Sequence, residues 1–418
     1  MGTPCFKTVL DIPDKVDLAT IVVRSNLVPE IMRQCVQKGV KAAVVISAGF
    51  GETDASGIQL EKEVVHIARQ GGIRMIGPNC IGYADLYTKV STLGTASRSK
   101  PGHMALLGQS GTLSSSIMGA AATMGIGLSK LITTGNEADL HTEDFLEFLA
   151  GDPNTRIITA YVEGLREGHR FLEIAKKTTA TKPIIILKAG GTEGAGRAAR
   201  SHTGALAGSD AVYSAAFRQS GVIRVSDEEE LADIAMALLR LPLPTGNGVG
   251  ILTIGGGFGV LAAEACEREG LSMAPLQPST LAKLDEVLPS RWSHGNPVDM
   301  VGVKTLGEFP TILACLRAMV EDDNINSMLA LVANRGYAGD QFRAEMAETE
   351  RAFGELGKRA KQLGKPLLLV RRSMALLANG VETPPSDDED RLTEYATPRR
   401  AARALGHMLR RSNYLSSL

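Results

Sequence analysis

Strands of β-branched residues alternate with helical patterns along this chain, and small residues fill the turn between each strand and the next helix. The unit recurs around Ala42, Met104 and Val249. Parallel strands covered by helices on both faces consist of nearly continuous apolar runs, as these do. The sequence therefore predicts an α/β fold built on parallel sheets.

A length of 418 residues is enough for two or three domains. The opening strands, predicted at 18–23, 42–47 and 74–77, form a βαβαβ run with helices predicted at 28–38 and 60–70 between them. This run predicts a Rossmann-like domain over residues 1–98. A nucleotide-binding domain of this type opens with a glycine-rich turn, and none precedes these strands, so we expect the domain to be shortened at its N-terminus.

Two further parallel-sheet domains are predicted, over residues 99–243 and 244–418, with the Pro- and Gly-rich stretch 241–248 as the linker between them. The third domain repeats the order of strand, glycine-rich turn and helix. Its turn lacks the spacing of a Walker lysine motif, so we do not predict an ATP site there.

The amino-acid composition limits the classes of partner and the location that we expect for this chain. The 45 basic and 46 acidic side chains are balanced, which gives no indication of a nucleic-acid or membrane partner. The sequence shows no apolar leader and no run long enough for a membrane span, so a cytoplasmic location is expected. Its five cysteines include no C-x-x-C pair, and neither a disulfide framework nor a metal site is predicted.

A glycine-rich loop at 190–210 follows the predicted strand 183–187 and carries one histidine, His202, among hydroxyls and small residues. Glycine is costly to order, so either a ligand approaches this backbone or the loop moves. The ring of His202 could act as a nucleophile, or it could be an ordinary solvated side chain.

Glu163 ends the predicted strand 156–162, whose parallel neighbour leads into the His202 loop, so both side chains leave the same sheet edge. A carboxylate there could bind one imidazole nitrogen and leave the other to attack. The alternative is an exposed charge at a strand end.

Three more strand ends could bind ligands. Ser110, Gly111 and Thr112 stand between a strand predicted at 104–107 and a helix predicted at 115–124, where free backbone N–H groups favour anions, although Ser and Thr are also ordinary helix caps. In the first domain, the residues after the second and third strands are candidates for ligand contact or simple turn residues: Ile46, Ser47, Ala48 and Asn79.

Six motifs together resemble the nucleoside-diphosphate-forming acyl-CoA synthetases, the superfamily of succinyl-CoA synthetase, and most closely the α subunits of its ADP-forming acetyl-CoA synthetase branch. The motifs are VVISAGF (44–50), GPNCIG (77–82), GQSGT (108–112), YVEG (161–164), SHTGALAG (201–208) and GNPVD (295–299). Their order matches the family order from the first domain into the third.

The resemblance implies a CoA-binding domain followed by two flavodoxin-like ligase domains. It implies that His202 carries a phosphoryl group and that Glu163 steadies its ring. By the same resemblance, phosphate is bound by Ser110, Gly111 and Thr112, and CoA by Ile46, Ser47, Ala48 and Asn79.

The resemblance further implies ATP or ADP and Mg²⁺, held mainly by an ATP-grasp β subunit, because too little chain follows the third domain to build one. A hetero-oligomer or homodimer acting on CoA and a small carboxylic acid is expected. Two other classes stay open, a non-catalytic CoA-binding or scaffold subunit and a flavodoxin-like electron carrier.

Overall fold

The structure is a computed structural model that describes residues 4–93, 99–192, 194–195, 209–301, 309–334, 340–373 and 392–418. It divides into two compact units, residues 1–231 and 232–418, which are described separately. Parallel sheets dominate both units, which confirms the predicted α/β class.

The first unit opens with a three-stranded parallel sheet in the order β1-β2-β3. Its elements are β1 (Leu18–Ile21), α1 (Val28–Lys38), β2 (Ala42–Val45), α2 (Ala55–Gln70) and β3 (Arg74–Ile76). Local sequence explains the helix ends. Gly39 adopts a left-handed φ of 79° just after α1, and the side chain of Asp54 accepts hydrogen bonds from two backbone N–H groups at the start of α2.

The same unit contains a seven-stranded sheet in the order β10-β9-β8-β6-β7-β4-β5. Its strands are β4 (Tyr83–Asp85), β5 (Val90–Ser91), β6 (Pro101–Gly108), β7 (Leu128–Thr133), β8 (Ile157–Val162), β9 (Ile184–Lys188) and β10 (Ile223–Val225). The helices of this part are α3 (Gly111–Thr123), α4 (Thr142–Gly151), α5 (Gly168–Thr179) and α6 (Asp210–Gln219). Aliphatic residues and the ring pair Phe171 and Phe217 form a buried core against this sheet.

Strands β4 and β5 pair with the larger sheet, where β4 runs antiparallel to β7. These residues fall within the first predicted domain, 1–98, because nothing in the local sequence indicates a partner strand that lies roughly forty residues further along the chain. The boundaries at 98/99 and 243/244 stay predictions.

The second unit has an all-parallel sheet in the order β12-β11-β14-β15-β16, with β13 also paired to β11. Its strands are β11 (Gly248–Thr253), β12 (Ser272–Met273), β13 (Val298–Asp299), β14 (Ser327–Asn334), β15 (Leu367–Ser373) and β16 (Thr393–Tyr395). Helix α7 (Glu228–Arg240) spans the division between the units, and the helices after it are α8 (Gly256–Arg268), α9 (Pro278–Val287), α10 (Phe309–Val320), α11 (Asp340–Gln362) and α12 (Pro398–Ser416). Among the residues that the structure describes, no helix has the length and apolar character needed to cross a bilayer.

Candidate functional site

The carboxyl ends of four neighbouring strands place polar residues along one edge of the seven-stranded sheet. Gln109 and Ser110 follow β6, Glu137 lies four residues after β7, Glu163 directly follows β8, and Lys188 is the last residue of β9. Open parallel sheets bind their ligands at such an edge. This edge is the candidate active site.

Glu163 is buried, with 6% of its surface exposed, so the alternative of an exposed charge at a strand end is wrong. The hydroxyl of Tyr161 hydrogen-bonds to its carboxylate, and burial together with that negative charge raises the pKa of Tyr161. The ammonium of Lys188 donates to the backbone carbonyl of Glu163 at 2.9 Å and lies 4.4 Å from the ring centre of Tyr213. Glu163 is therefore held by its neighbours on β8 and β9.

Gln109 links the ends of β6 and β8. Its Oε1 accepts the backbone N–H groups of Glu163 and Gly164 at 2.5 and 3.1 Å, and its Nε2 donates to the carbonyl of Gly164 at 2.7 Å. Thr142 lies within 3.4 Å of that amide nitrogen and donates to Oε1 of Glu137 at 2.6 Å. Sequence reasoning missed these three side chains, although a polar residue directly after a parallel strand was a usable signal for Gln109.

Helix α3 begins at Gly111, four residues earlier than the sequence pattern predicts, so Gly111 and Thr112 lie in its first turn. The Oγ of Ser110 caps the helix by accepting the N–H of Leu113 at 3.4 Å. A Cβ on Gly111 would lie 2.6 Å from Cγ2 of Ile81, so glycine permits this close packing without a shift of the Ile81 side chain. Phosphate binding by these residues stays a prediction that this free helix N-terminus supports.

His202 and most of its loop lie outside the described residues. The flanking residues are close together, since a Cβ on Gly191 would lie 2.9 Å from Oδ1 of Asp210. Arg224 on β10 binds both carboxylate oxygens of Asp210, at 2.5 and 3.0 Å. Asp210, which lies close to Gly191, is therefore held by an ion pair to the strand that neighbours β9.

The predicted CoA residues occupy the ends of β2 and β3. Ser47 uses its hydroxyl within the protein, donating to the carbonyl of Val23 at 2.6 Å and accepting its N–H at 3.1 Å. Ala48 is exposed and Ile46 is half-buried. Asn79 has a left-handed φ of 57° and donates its backbone N–H to Ser47 at 2.9 Å. CoA contact by these residues stays a prediction.

Asn136 joins the end of the first sheet to the edge of the second. Its Nδ2 donates to Glu52 and Glu61 at 2.6 and 2.8 Å, and its Oδ1 accepts from Nδ2 of Asn79 at 3.2 Å. Burial acts to raise the pKa of Glu52, but hydrogen bonds from Asn136 and three backbone N–H groups lower it below its usual value. The strand ends predicted to bind CoA and the edge of the seven-stranded sheet therefore meet in one polar cluster.

No group of three or more His, Cys, Asp or Glu side chains in the described parts of the chain is arranged to hold a metal ion. The cysteines in those parts are free thiols.

Three families of known domains match successive parts of the chain. Residues 1–85 match the family described as a CoA binding domain, residues 101–238 a succinyl-CoA ligase-like flavodoxin domain, and residues 249–372 a Ligase-CoA domain. The fold and its sheet edges thus define a succinyl-CoA ligase-like protein with a CoA-binding domain.

Two relatives from Pyrococcus furiosus are α subunits of ADP-forming acetate–CoA ligases. The chain is 38% identical to the subunit of ligase I over 98% of its own length and 86% of the relative's, and 40% identical to the subunit of ligase II over 88% and 79%. It spans about half (48%) of another ADP-forming acetate–CoA ligase, from Archaeoglobus fulgidus, at 42% identity over 79% of its own length. An acetyl-coenzyme A synthetase from Ca. Korarchaeum cryptofilum, solved with phosphate and ADP, superimposes with a TM-score of 0.84 at 30% identity, over 100% of this chain and 87% of that one. This chain belongs to the α-subunit family of the ADP-forming acyl-CoA synthetases, which are acid–thiol ligases.

Proposed function

We propose that this chain is the α subunit of an ADP-forming acyl-CoA synthetase that interconverts acyl-CoA, ADP and phosphate with a carboxylic acid, CoA and ATP. The observation that carries the proposal is the shared sheet edge, where the buried Glu163, the free N-terminus of α3 and the start of the His202 loop lie on adjacent strands. A scaffold subunit would not need these groups together.

The chemistry would run in three displacements. Phosphate attacks the thioester carbonyl and CoA leaves as the thiol, which forms an acyl phosphate. A ring nitrogen of His202 then attacks the phosphorus and the carboxylate leaves. Finally the β-phosphate oxygen of ADP takes the phosphoryl group, and the free imidazole returns. Each phosphoryl step depends mostly on alignment and on stabilisation of charge.

Glu163 would accept the N–H of the His202 ring, fix its tautomer and stabilise the positive charge that develops on phosphorylation. The N–H groups of Gly111 and Thr112 would bind the phosphoryl oxygens, helped by the dipole of α3. Lys188 supplies a positive charge beside Glu163. Burial, followed by repulsion from Arg224, lowers the pKa of Lys188 from its usual value.

CoA would bind at the ends of β2 and β3, around Ile46, Ala48 and Asn79, with Ser47 holding the turn in place. Nucleotide and Mg²⁺ would enter with an ATP-grasp β subunit, in a hetero-oligomer. A small carboxylic acid is the proposed substrate class, because relatives of this family are named for acetate and for 4-hydroxybutyrate.

The test is phosphorylation of the chain in complex with its β subunit, Mg²⁺ and labelled ATP, followed by treatment with acid and with base. We expect acid-labile, base-stable label in the wild type and none in His202→Ala. Glu163→Gln should slow labelling by about 10²-fold or more. Glu173→Gln, the same change at an exposed site on α5, should leave labelling unchanged. A folded, partner-bound wild type that takes up no label would overturn the proposal and favour the scaffold subunit.

A further inference from the structure

We propose that Glu137 is a positioning residue for Glu163, and that it acts through Thr142 and Gln109. This inference rests on the proposed function, because it concerns how the carboxylate beside the phosphoryl-carrying histidine is held. The three residues form one buried chain of hydrogen bonds that reaches the backbone of Glu163.

The first link fixes the amide of Gln109. Its oxygen accepts two backbone N–H groups, from Glu163 and Gly164, and a nitrogen in that position would leave both donors unsatisfied. The amide therefore has one possible orientation, with Nε2 on the opposite side as a donor. One of its protons goes to the carbonyl of Gly164.

The second link sets the direction of the hydroxyl. Nε2 of Gln109 directs its other proton toward Thr142 and Glu137: it lies 3.4 Å from Oγ1 of Thr142 and also hydrogen-bonds to the Glu137 carboxylate. The hydroxyl of Thr142 gives its single proton to Oε1 of Glu137 at 2.6 Å. Every donor in the chain points toward Glu137, which must accept. Gln109, Thr142 and Glu137 are exposed by only 8, 0 and 4%, so water does not replace any of these bonds.

The charged form of Glu137 is energetically unfavourable in this buried position. Burial raises the pKa of Glu137 to about 7, against hydrogen bonds from Thr142, Gln109 and Thr134 that lower it, and repulsion from Glu143 on α4 adds a smaller upward shift. Two further charged residues lie near Glu137. Glu163 is bonded through its backbone N–H to Gln109, and Arg166 donates to the carbonyl of Asn136, the residue before Glu137, at 3.1 Å. Glu137 also adopts a left-handed φ of 54°, which is uncommon for a residue other than glycine. A buried, repelled and strained acid is expected where its hydrogen bonding serves the site.

The test compares threonines in the complex with the β subunit. Thr142→Val removes the hydroxyl that hydrogen-bonds to Glu137, Thr142→Ser restores a hydroxyl, and Thr159→Val is the matched control. Thr159 is equally buried on β8, but its hydroxyl donates to the carbonyl of Ala105 at 2.9 Å. We expect Thr142→Val to lower kcat about 10-fold or more with the KM for substrates unchanged, because Thr142 orients the site without contacting substrate. Thr142→Ser and Thr159→Val should stay within about 3-fold of wild type.

A second measurement uses pH. Protonation of Glu137 below about pH 7 leaves one acceptor oxygen and turns the other into a donor, and glutamine presents the same pair of groups at every pH. Glu137→Gln therefore mimics the protonated form and does not titrate. The ratio of wild-type to Glu137→Gln kcat should therefore fall as pH is lowered from about 8 to about 6.

Three results would overturn the inference: an unaffected Thr142→Val, equal losses in Thr142→Val and Thr159→Val, or a kcat ratio independent of pH. These results are distinct from failure of the proposed function, in which the wild type itself takes up no label.

Discussion

At the residue scale, Gly135 determines how closely the two sheets of the first unit approach each other. It has a left-handed φ of 59°, and a Cβ there would lie 2.2 Å from the carbonyl oxygen of Pro78 and 2.5 Å from that of Asn79. Backbone oxygens cannot move aside as a flexible side chain can. Glycine at this position therefore allows Asn79 and Asn136 to meet.

We predict that Gly135→Ala lowers the free energy of unfolding by about 3 kcal/mol, because it adds a backbone clash to an unfavourable φ. The matched control is Gly119→Ala inside α3, where a Cβ would have no atom within 4 Å. That change should raise stability by about 0.5–1 kcal/mol, since alanine favours the helix. Urea denaturation of both variants measures the difference, and similar effects in the two would contradict this account of Gly135.

Glu137 should make stability depend on pH. Because burial raises its pKa to about 7, the folded chain holds a proton that the unfolded chain has already lost between about pH 4.5 and pH 7. The contribution of Glu137 is therefore largest at low pH, decreases as pH rises through this window and is constant above it.

Relative to wild type, Glu137→Gln should gain stability with rising pH, by up to about 3 kcal/mol at pH 8. Thermal or urea unfolding at several pH values measures the gain. Glu173→Gln makes the same chemical change on an exposed surface of α5 and should show no such trend. A constant difference between wild type and Glu137→Gln would mean that Glu137 does not titrate in this range.

At the scale of elements, the loop after β7 also holds β3 in place. Asp139, whose side chain is 1% exposed, accepts from Arg69 on α2 at 2.9 Å and from Arg74 on β3 at 3.1 Å, and it accepts the N–H of Met75 at 2.8 Å. One carboxylate thus binds a helix and a strand of the first sheet to the edge of the second.

We expect Asp139→Ala to cost about 3–5 kcal/mol, because it leaves the N–H of Met75 and two guanidinium groups without their acceptor. Glu63→Ala removes a partner of Arg33 at 2.6 Å on the exposed faces of α1 and α2 and should cost about 0–1 kcal/mol. Hydrogen exchange should show the Asp139 effect concentrated in β1 to β3. A uniform loss of protection across the first unit would refute this local role.

The sequence predicted most elements of the first unit well because their periodicity is local. The predicted helix at 28–38 matches α1, and the predicted strands at 42–47 and 156–162 correspond to β2 and β8. The start of α3 was wrong by four residues because glycine, serine and threonine read as a turn, whereas in the fold Ser110 caps the helix and Ile81 packs on Gly111. Helix and turn propensities depend on local sequence and do not include contacts with distant residues.

At the scale of the whole molecule, the buried clusters that contain Phe171 and Phe353 share no residue. The first covers the seven-stranded sheet of the first unit and the second covers the sheet of the second unit. Each sheet therefore has its own hydrophobic core.

We predict that Phe171→Ala and Phe353→Ala each cost about 3–5 kcal/mol, since both rings are almost fully buried. The losses should be local, with Phe171→Ala lowering hydrogen-exchange protection in 101–225 and Phe353→Ala in 248–373. Calorimetry measures the loss of stability in each variant, and hydrogen exchange followed by mass spectrometry shows which unit loses protection. Equal loss of protection in both units from either change would show that the cores unfold as one.

The sequence by itself determined the α/β class, the order of strands and helices, and the family, because these follow from local periodicity and from motifs that keep their spacing along the chain. It also placed Glu163 at the correct strand end. Only the tertiary structure decided that β4 joins the second sheet, that the hydroxyl of Ser47 is used within the protein, and that Gln109, Thr142 and Glu137 form one chain. The physical reason is that these features depend on burial and on hydrogen bonds between residues far apart in sequence, and such distances exist only after the sheets have formed.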